Sequence, residues 1–153
     1  MDDTDGLMSQ LDAIFSPASI AVVGVPKAMK TGKLFLMALI DQGFPGVIYP
    51  VHPTADEIDG LKAYPTVSAI PGPVDLAIIL VSHDRTLPVV RECAGKGVKG
   101  AILFSAGYTE TGTDEGKKLQ AELTRIARSS GMRIIGPNCM GPVSYTHLTL
   151  PTN

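Results

Sequence analysis

The sequence contains no tryptophan and only four tyrosines and four phenylalanines, which leaves little aromatic surface for stacking nucleobases. It lacks a basic excess as well. Thirteen Lys and Arg against 15 Asp and Glu give a formal charge of −2, so the charge balance offers no case for a nucleic-acid partner. The two cysteines, Cys93 and Cys139, are spaced for neither a metal site nor a disulfide framework. No apolar run approaches the roughly 20 residues that a membrane span needs. The opening Met1–Gly6 (MDDTDG) is acidic where a secretory signal would be basic. A cytoplasmic protein with no membrane association is the expectation.

What is present is an ordinary globular composition, 44% hydrophobic and 18% charged over 153 residues, enough for one domain with a real core. Leu7, Leu11, Ile14 and Phe15 predict one face of an amino-terminal helix, ended by Pro17. Ser19–Gly24 (SIAVVG) reads as a strand buried on both faces. Lys33–Gln42 reads as a helix stopped by Gly43, and Gly46–Val51 as a second strand. A short helix is expected near Ala55–Ile58 and a small strand around Lys62–Tyr64. Val74–Val81 is the clearest strand, followed by a helix through Leu87, Val90 and Ala94 to Gly97. Lys99–Ser105 is a strand, Leu119, Leu123, Ile126 and Ala127 line a helix, and Arg133–Ile135 is a last strand. Such alternation predicts an α/β fold, a doubly wound parallel sheet of about five strands with flanking helices.

In sheets of this kind ligands bind beyond the carboxyl ends of the strands, where the strand order reverses. The loop Gly24–Lys33 (GVPKAMKTGK) therefore carries the first functional expectation. A glycine at a strand end admits close backbone approach, and a helix start offers N–H groups and partial positive charge to phosphate. Lys27, Lys30 and Lys33 add full charges. An exposed basic turn would look the same taken alone.

A nicotinamide dinucleotide site fits less well. It requires a G-x-G-x-x-G cluster and an acidic residue at the end of the second strand. Here the loop has only Gly24 and Gly32, and the second strand runs into His52 and Pro53, with no carboxylate before Asp56.

Six stretches then align in order: Leu11–Gly24 (LDAIFSPASIAVVG), Tyr49–Pro53 (YPVHP), Asp56–Gly60 (DEIDG), Pro73–Ala77 (PVDLA), Ser105–Gly112 (SAGYTETG) and Gly136–Gly141 (GPNCMG). Together they resemble the CoA-binding domain of NDP-forming acyl-CoA synthetases, the ADP-forming acetate–CoA ligases and their succinyl-CoA synthetase alpha-subunit relatives. The resemblance implies a Rossmann-like fold and coenzyme A or acyl-CoA as the ligand. It assigns the phosphates of CoA to Gly24, Pro26, Lys27, Lys30 and Gly32, and the adenosine end to Val51, His52 and Pro53. The pantetheine arm would pass Val81, Ser82, Ser105, Ala106 and Gly107, with Pro137 and Asn138 near the thiol. His52 stands where the family more often has asparagine, and Val81–Asp84 (VSHD) replaces a Val-Pro-Ala type turn. By the same resemblance the phosphohistidine and the ATP-grasp module, with ATP or ADP and Mg2+, belong to further ligase domains or a partner subunit, and residues 1–142 alone bind CoA without catalysis. Two alternatives stay open, a regulatory CoA-binding module of a protein lysine acetyltransferase and an NAD(H)-binding switch.

Other residues invite sharper readings. Ser82, His83 and Asp84 contain the residue types of a hydrolase triad, but consecutive side chains diverge, and helix capping by Ser82 or Asp84 is the better account. Cys139 reads as a small residue in a tight turn and Cys93 as core. Asp114 and Glu115 suit a helix start. Leu34–Ile40 (LFLMALI) is apolar nearly all round and predicts either a deeply buried helix or partner contact. Finally, Val143–Thr152 (VSYTHLTLPT) is spelled by GTC TCT TAT ACA CAT CTG ACG CTG CCG ACG, which resembles a transposase sequencing adaptor read in frame. Residues 143–153 are therefore expected to be a non-native tail to a domain of residues 1–142.

Overall fold

The computed structural model describes residues 2–139, and the tail expected at 143–153 lies outside them. The chain forms helix α1 (Asp2–Phe15), strand β1 (Ser19–Val23), helix α2 (Thr31–Asp41) and strand β2 (Val47–Val51). A small hairpin of β3 (Glu57–Ile58) and β4 (Leu61–Lys62) follows, then β5 (Leu76–Ile79) and helix α3 (His83–Lys96). Strand β6 (Gly100–Leu103), a 3-10 turn at Thr109–Thr111, helix α4 (Asp114–Ser130) and β7 (Arg133–Ile135) complete it. Five strands make one parallel sheet in the order β2-β1-β5-β6-β7. This is the expected doubly wound α/β fold.

Alternation along the strands sorts the core into two layers. Ala21, Val23, Ala77, Ile79, Ala101 and Leu103 meet Val90 and Cys93 of α3 and Leu123 and Ile126 of α4. Ile20, Val22, Leu76 and Ile78 face the other way, onto Ile14 of α1 and Leu36 of α2. Every residue of β1 and β5 is buried, as continuous apolar runs require in a sheet covered on both sides. Helix ends carry the expected signals: the Thr113 hydroxyl accepts from the Gly116 N–H at 3.1 Å, with Asp114 and Glu115 in the first turn of α4.

The amino-terminal ends of the strands are tied by one carboxylate. Asp75 Oδ2 accepts from the Ala18 N–H at 3.0 Å and from the Ser19 N–H at 3.2 Å, and its Oδ1 pairs with Lys99 Nζ at 2.9 Å. Since Asp75 precedes β5, Ser19 opens β1 and Lys99 precedes β6, one side chain joins three strands. Partial burial pushes the Asp75 carboxyl upward, but hydrogen bonds from Lys99, Ala18 and Ser19 and the Lys99 charge outweigh it, so the group sits below its ordinary range.

Three expectations need correction. The segment Ala55–Ile58 is not helical; Glu57 and Ile58 pair antiparallel with Lys62 and Leu61. Asp59 and Gly60, at φ 51° and 78°, form the tight turn that Asp-Gly favours, and Ile58 is buried beside α2. Helix α2 is not deeply buried: Leu36 is fully enclosed, but Leu34 is 54% exposed, because only one side of the helix rests on the sheet. On α1, Ile14 is buried while Phe15 is exposed, so the apolar face is narrower than the sequence spacing suggests.

Candidate functional site

Strand order reverses between β1 and β5, since β2 lies on one side of β1 and β5 on the other. The loops leaving these two strands meet at that point. Gly24 follows β1 at φ +90°, and a Cβ built on it would stand 2.9 Å from Val81 Cγ1 and 3.2 Å from the Val81 nitrogen. In the first turn of α2, a Cβ on Gly32 would stand 3.0 Å from Pro26 Cδ and 3.5 Å from the Gly24 oxygen. Glycine at both positions lets the two backbones close on each other. Gly24, Pro26, Gly32 and Val81 thus form one surface, the floor of the crevice.

Positive charge rims this floor. Lys27 and Lys30 are exposed, and Lys30 occupies the N-cap position of α2 in extended geometry without a side-chain cap. The Lys33 N–H turns back onto the Lys30 carbonyl at 2.8 Å, and the earlier N–H groups and the dipole at the start of α2 suit an anion. Lys33, which the sequence groups with the other two, is engaged elsewhere. Its Nζ donates to the Lys27 carbonyl at 3.2 Å and pairs with Asp59 Oδ1 at 2.9 Å, tying the loop to the β3–β4 hairpin.

At the end of β2, Val51 is buried and Pro53 exposed. The His52 Nδ1 accepts from the N–H groups of Thr54 at 3.2 Å and Ala55 at 3.0 Å. An imidazole accepting at Nδ1 carries its proton on Nε2. The ring thereby shapes its own loop.

Beyond β5 and β6 the strand-end residues Val81, Ser82, Ser105, Ala106 and Gly107 are uncharged, with Asp84, Arg85 and Glu110 exposed beside them. Ser82 stands at the N-cap of α3, but its side chain makes no cap bond, contrary to expectation; its hydroxyl accepts from Arg85 Nε at 3.4 Å. Its carbonyl accepts from the Thr86 hydroxyl at 3.1 Å. Thr86 Oγ1 lies 3.1 Å from Ser105 Oγ, which lies 3.3 Å from the Tyr108 hydroxyl. Thr86 and Tyr108 are fully buried, so this run of hydroxyls fixes the loop after β6 against α3. Ala106 is exposed. Gly107, at φ +114°, donates its N–H to Glu110 Oε1 at 2.7 Å; that bond and those of the Glu110 and Tyr108 backbone hold the Glu110 carboxyl below its usual range.

The last loop follows β7. Asn138 adopts φ +54° after the cis Gly136–Pro137 bond and donates its N–H to the Ser105 carbonyl at 2.9 Å. Pro137 and Asn138 therefore join Ser105 at the same end of the sheet. Cys139, half-buried, donates its N–H to the Leu103 carbonyl at 3.3 Å; Cys93 is fully buried, and burial pushes its thiol up to about 12.

All fifteen residues singled out by the resemblance thus lie at the carboxyl ends of the sheet strands. No Ser–His–Asp relay forms: His83 packs its ring on Gly107, and the Ser82 hydroxyl, the largest influence on Asp84, holds that carboxyl below its ordinary value. Sequence reasoning missed Thr86, Tyr108 and Asp59. The Ser82–Thr86 spacing of four residues was a usable signal for the first, and Asp-Gly for the last. A groove of about 460 Å³ runs beside edge strand β7, lined by residues including Gln120, Leu123, Met132 and Ile134; it reaches the loop cluster only at Gly136 and Pro137. The candidate site is instead an open cluster of strand-end loops. Among the described residues, no helix is long and apolar enough to cross a membrane.

A family model described as a CoA binding domain matches residues 18–144. The alpha subunit of acetate–CoA ligase [ADP-forming] II from Pyrococcus furiosus is 44% identical over 140 residues, covering 92% of this chain and 30% of that protein. The 4-hydroxybutyrate–CoA ligase [ADP-forming] of Nitrosopumilus maritimus is 36% identical over 137 residues, covering 90% of this chain and 20% of the relative. Among solved structures, the dinucleotide forming acetyl-coenzyme A synthetase 1 of Ca. Korarchaeum cryptofilum, in complex with phosphate and ADP, superposes with a TM-score of 0.81 at 45% identity, covering 86% of this chain and 28% of that one. The chain therefore spans about a third or less of the length of these relatives.

Proposed function

The chain belongs to the CoA-binding domain family, and from that premise we propose that it is the CoA-binding module of an ADP-forming acid–CoA ligase. The reaction proposed for the complete enzyme converts acyl-CoA, phosphate and ADP into acid, CoA and ATP. This module holds the coenzyme; a phosphorylated histidine and the ATP-grasp nucleotide site belong to further domains or a partner subunit. Residues 1–142 constitute the module in this reading.

One observation carries it: the closure of Gly24 on Val81 and of Gly32 on Pro26, beside two exposed lysines and an uncapped helix start. Such a floor fits a large polyanion whose phosphates lie close to backbone. Lys27, Lys30 and the N–H groups at the start of α2 would hold the phosphates, Val51–Pro53 would border the adenosine, and Val81, Ser82 and Ser105–Gly107 would flank the arm. Pro137 and Asn138 would then lie towards the thiol. When bound, coenzyme A supplies the thiol that carries the acyl group. The residues of this chain bind and orient it. The end of β2 supports CoA over NAD, because its functional side chain is a histidine with Nδ1 committed to the backbone, not a carboxylate for ribose hydroxyls.

Calorimetric titration of the chain with CoA, dephospho-CoA and NAD in turn provides the test. The expected result is CoA binding tighter than dephospho-CoA, with NAD silent. Lys27→Ala and Lys30→Ala should each weaken CoA by about three- to tenfold at low salt and by less at high salt. NAD binding without CoA binding would overturn the proposal.

A further inference from the structure

His83 is exposed at the first position of α3, directly after the β5 strand end, and belongs to none of the functions assigned above. Its ring nevertheless has a defined place. A Cβ on Gly107 would stand 3.0 Å from His83 Cγ, 3.2 Å from Nδ1 and 3.4 Å from its Cβ. The ring therefore lies on the Gly107 backbone and bridges the loops after β5 and β6. Gly107 is itself fixed, because its N–H is held by Glu110 at 2.7 Å. On the other side, the α3 start that carries His83 is fixed by the Thr86 bond to the Ser82 carbonyl and by the Thr86–Ser105 pair. An exposed imidazole between two fixed loops is held in position by both.

We infer that His83 is a specificity-determining residue that hydrogen-bonds an amide of the pantetheine arm of CoA. This inference rests on the CoA reading of the same site. Geometry sets which part of the ligand it can meet. The phosphate-facing loop leaves β1; His83 follows the neighbouring strand β5, but its ring rests on Gly107 beyond β6, two strands from β1 or about 10 Å at the usual spacing between strands. The charged groups on the crevice rim, Lys27 and Lys30, stand at the β1 side. The strand-end residues around His83, namely Val81, Ser82, Ser105, Ala106 and Gly107, are uncharged, and the charges beside them are engaged, Asp84 and Arg85 with the Ser82 hydroxyl and Glu110 with the Gly107 N–H. A surface of that kind suits the neutral, amide-bearing part of the ligand. Imidazole can donate to an amide carbonyl or accept from an amide N–H. The atoms nearest a Cβ on Gly107 are Cγ, Nδ1 and Cβ, so Nε2 lies farther from that position on an exposed residue.

The test separates the arm from the nucleotide. The full chain and its His83→Ala and His83→Gln variants are titrated with CoA and with adenosine 3′,5′-bisphosphate, which keeps the nucleotide and lacks the arm. Expected is a loss of about three- to tenfold in CoA affinity for His83→Ala, the size of one hydrogen bond. The bisphosphate should bind all three proteins equally, His83→Gln should recover part of the loss, and the melting temperature should stay unchanged. Equal losses for CoA and bisphosphate would overturn the inference, since His83 would then serve loop structure or the phosphates. Unchanged CoA affinity would overturn it too, while leaving the CoA reading intact. A parent chain that binds neither ligand would overturn the CoA reading, and this inference with it.

Discussion

The hydroxyls of Thr86 and Ser105 lie 3.1 Å apart, joining the first turn of α3 to the end of β6 across 19 residues of sequence. Thr86 is fully buried and also donates to the Ser82 carbonyl, so one hydroxyl serves two loops of the proposed coenzyme site. Thr86→Val keeps the shape and removes both bonds. The expected cost is about 1–3 kcal/mol, which for a chain of this size corresponds to roughly 2–4 °C of Tm per kcal/mol. Scanning calorimetry measures it, and an unchanged Tm would show that the hydroxyl pair contributes nothing net.

Gly24→Ala and Gly43→Ala isolate close approach from backbone conformation. Both residues have positive φ, +90° and +65°, but only Gly24 has neighbours within 4 Å of a built Cβ. Gly43→Ala should cost only the left-handed penalty, about 1–2 kcal/mol. Gly24→Ala should cost more and also abolish CoA binding, because Val81 must move. Urea denaturation alongside titration distinguishes the two; equal costs with CoA binding retained in both would mean that the crevice floor yields easily.

Asp75 predicts a pH dependence. Its folded-state pKa is below the ordinary value of 3.8, so the unfolded chain binds its proton first as pH falls. The stabilisation is then complete above the unfolded pKa and disappears as pH drops through the folded one. Asp75→Asn should be less stable than the parent at pH 7, and the gap should narrow steadily below about pH 4. Denaturation curves between pH 2 and 7 show the convergence, and a constant gap would assign the effect to packing.

Cys93 should resist alkylation. With its thiol pushed up to about 12 by burial, almost no thiolate exists at pH 8. Iodoacetamide followed by peptide mass analysis should leave Cys93 unmodified in the native chain and modified in urea. Rapid native labelling would show that α3 opens readily from the sheet.

Much of this architecture is legible from periodicity. SIAVV and LAII are continuous apolar runs and lie in the middle of the sheet as such runs should. The crevice loop is legible too, because Gly24 and Gly32 bracket three lysines in a strand-to-helix connection. What one sequence conceals is which groups find each other at long range. Lys33 looks like a third phosphate ligand until Asp59 pairs with it. Ser82 looks like a cap until Arg85 binds its hydroxyl. The hairpin is legible as well, since Asp59-Gly60 between Ile58 and Leu61 is a strong turn signal, stronger than anything that favours a helix at Ala55–Ile58.

The Asp75 knot has an evolutionary and practical corollary. It lies at the opposite end of the strands from the crevice, and five residues of strand separate the two by roughly 16 Å. Mutational effects at such separation add without coupling. Selection can therefore rewrite the crevice loops while the anchor at the far end stays untouched, and a laboratory can do the same in reverse. The sheet works as an insulator between durability at one pole and adaptation at the other.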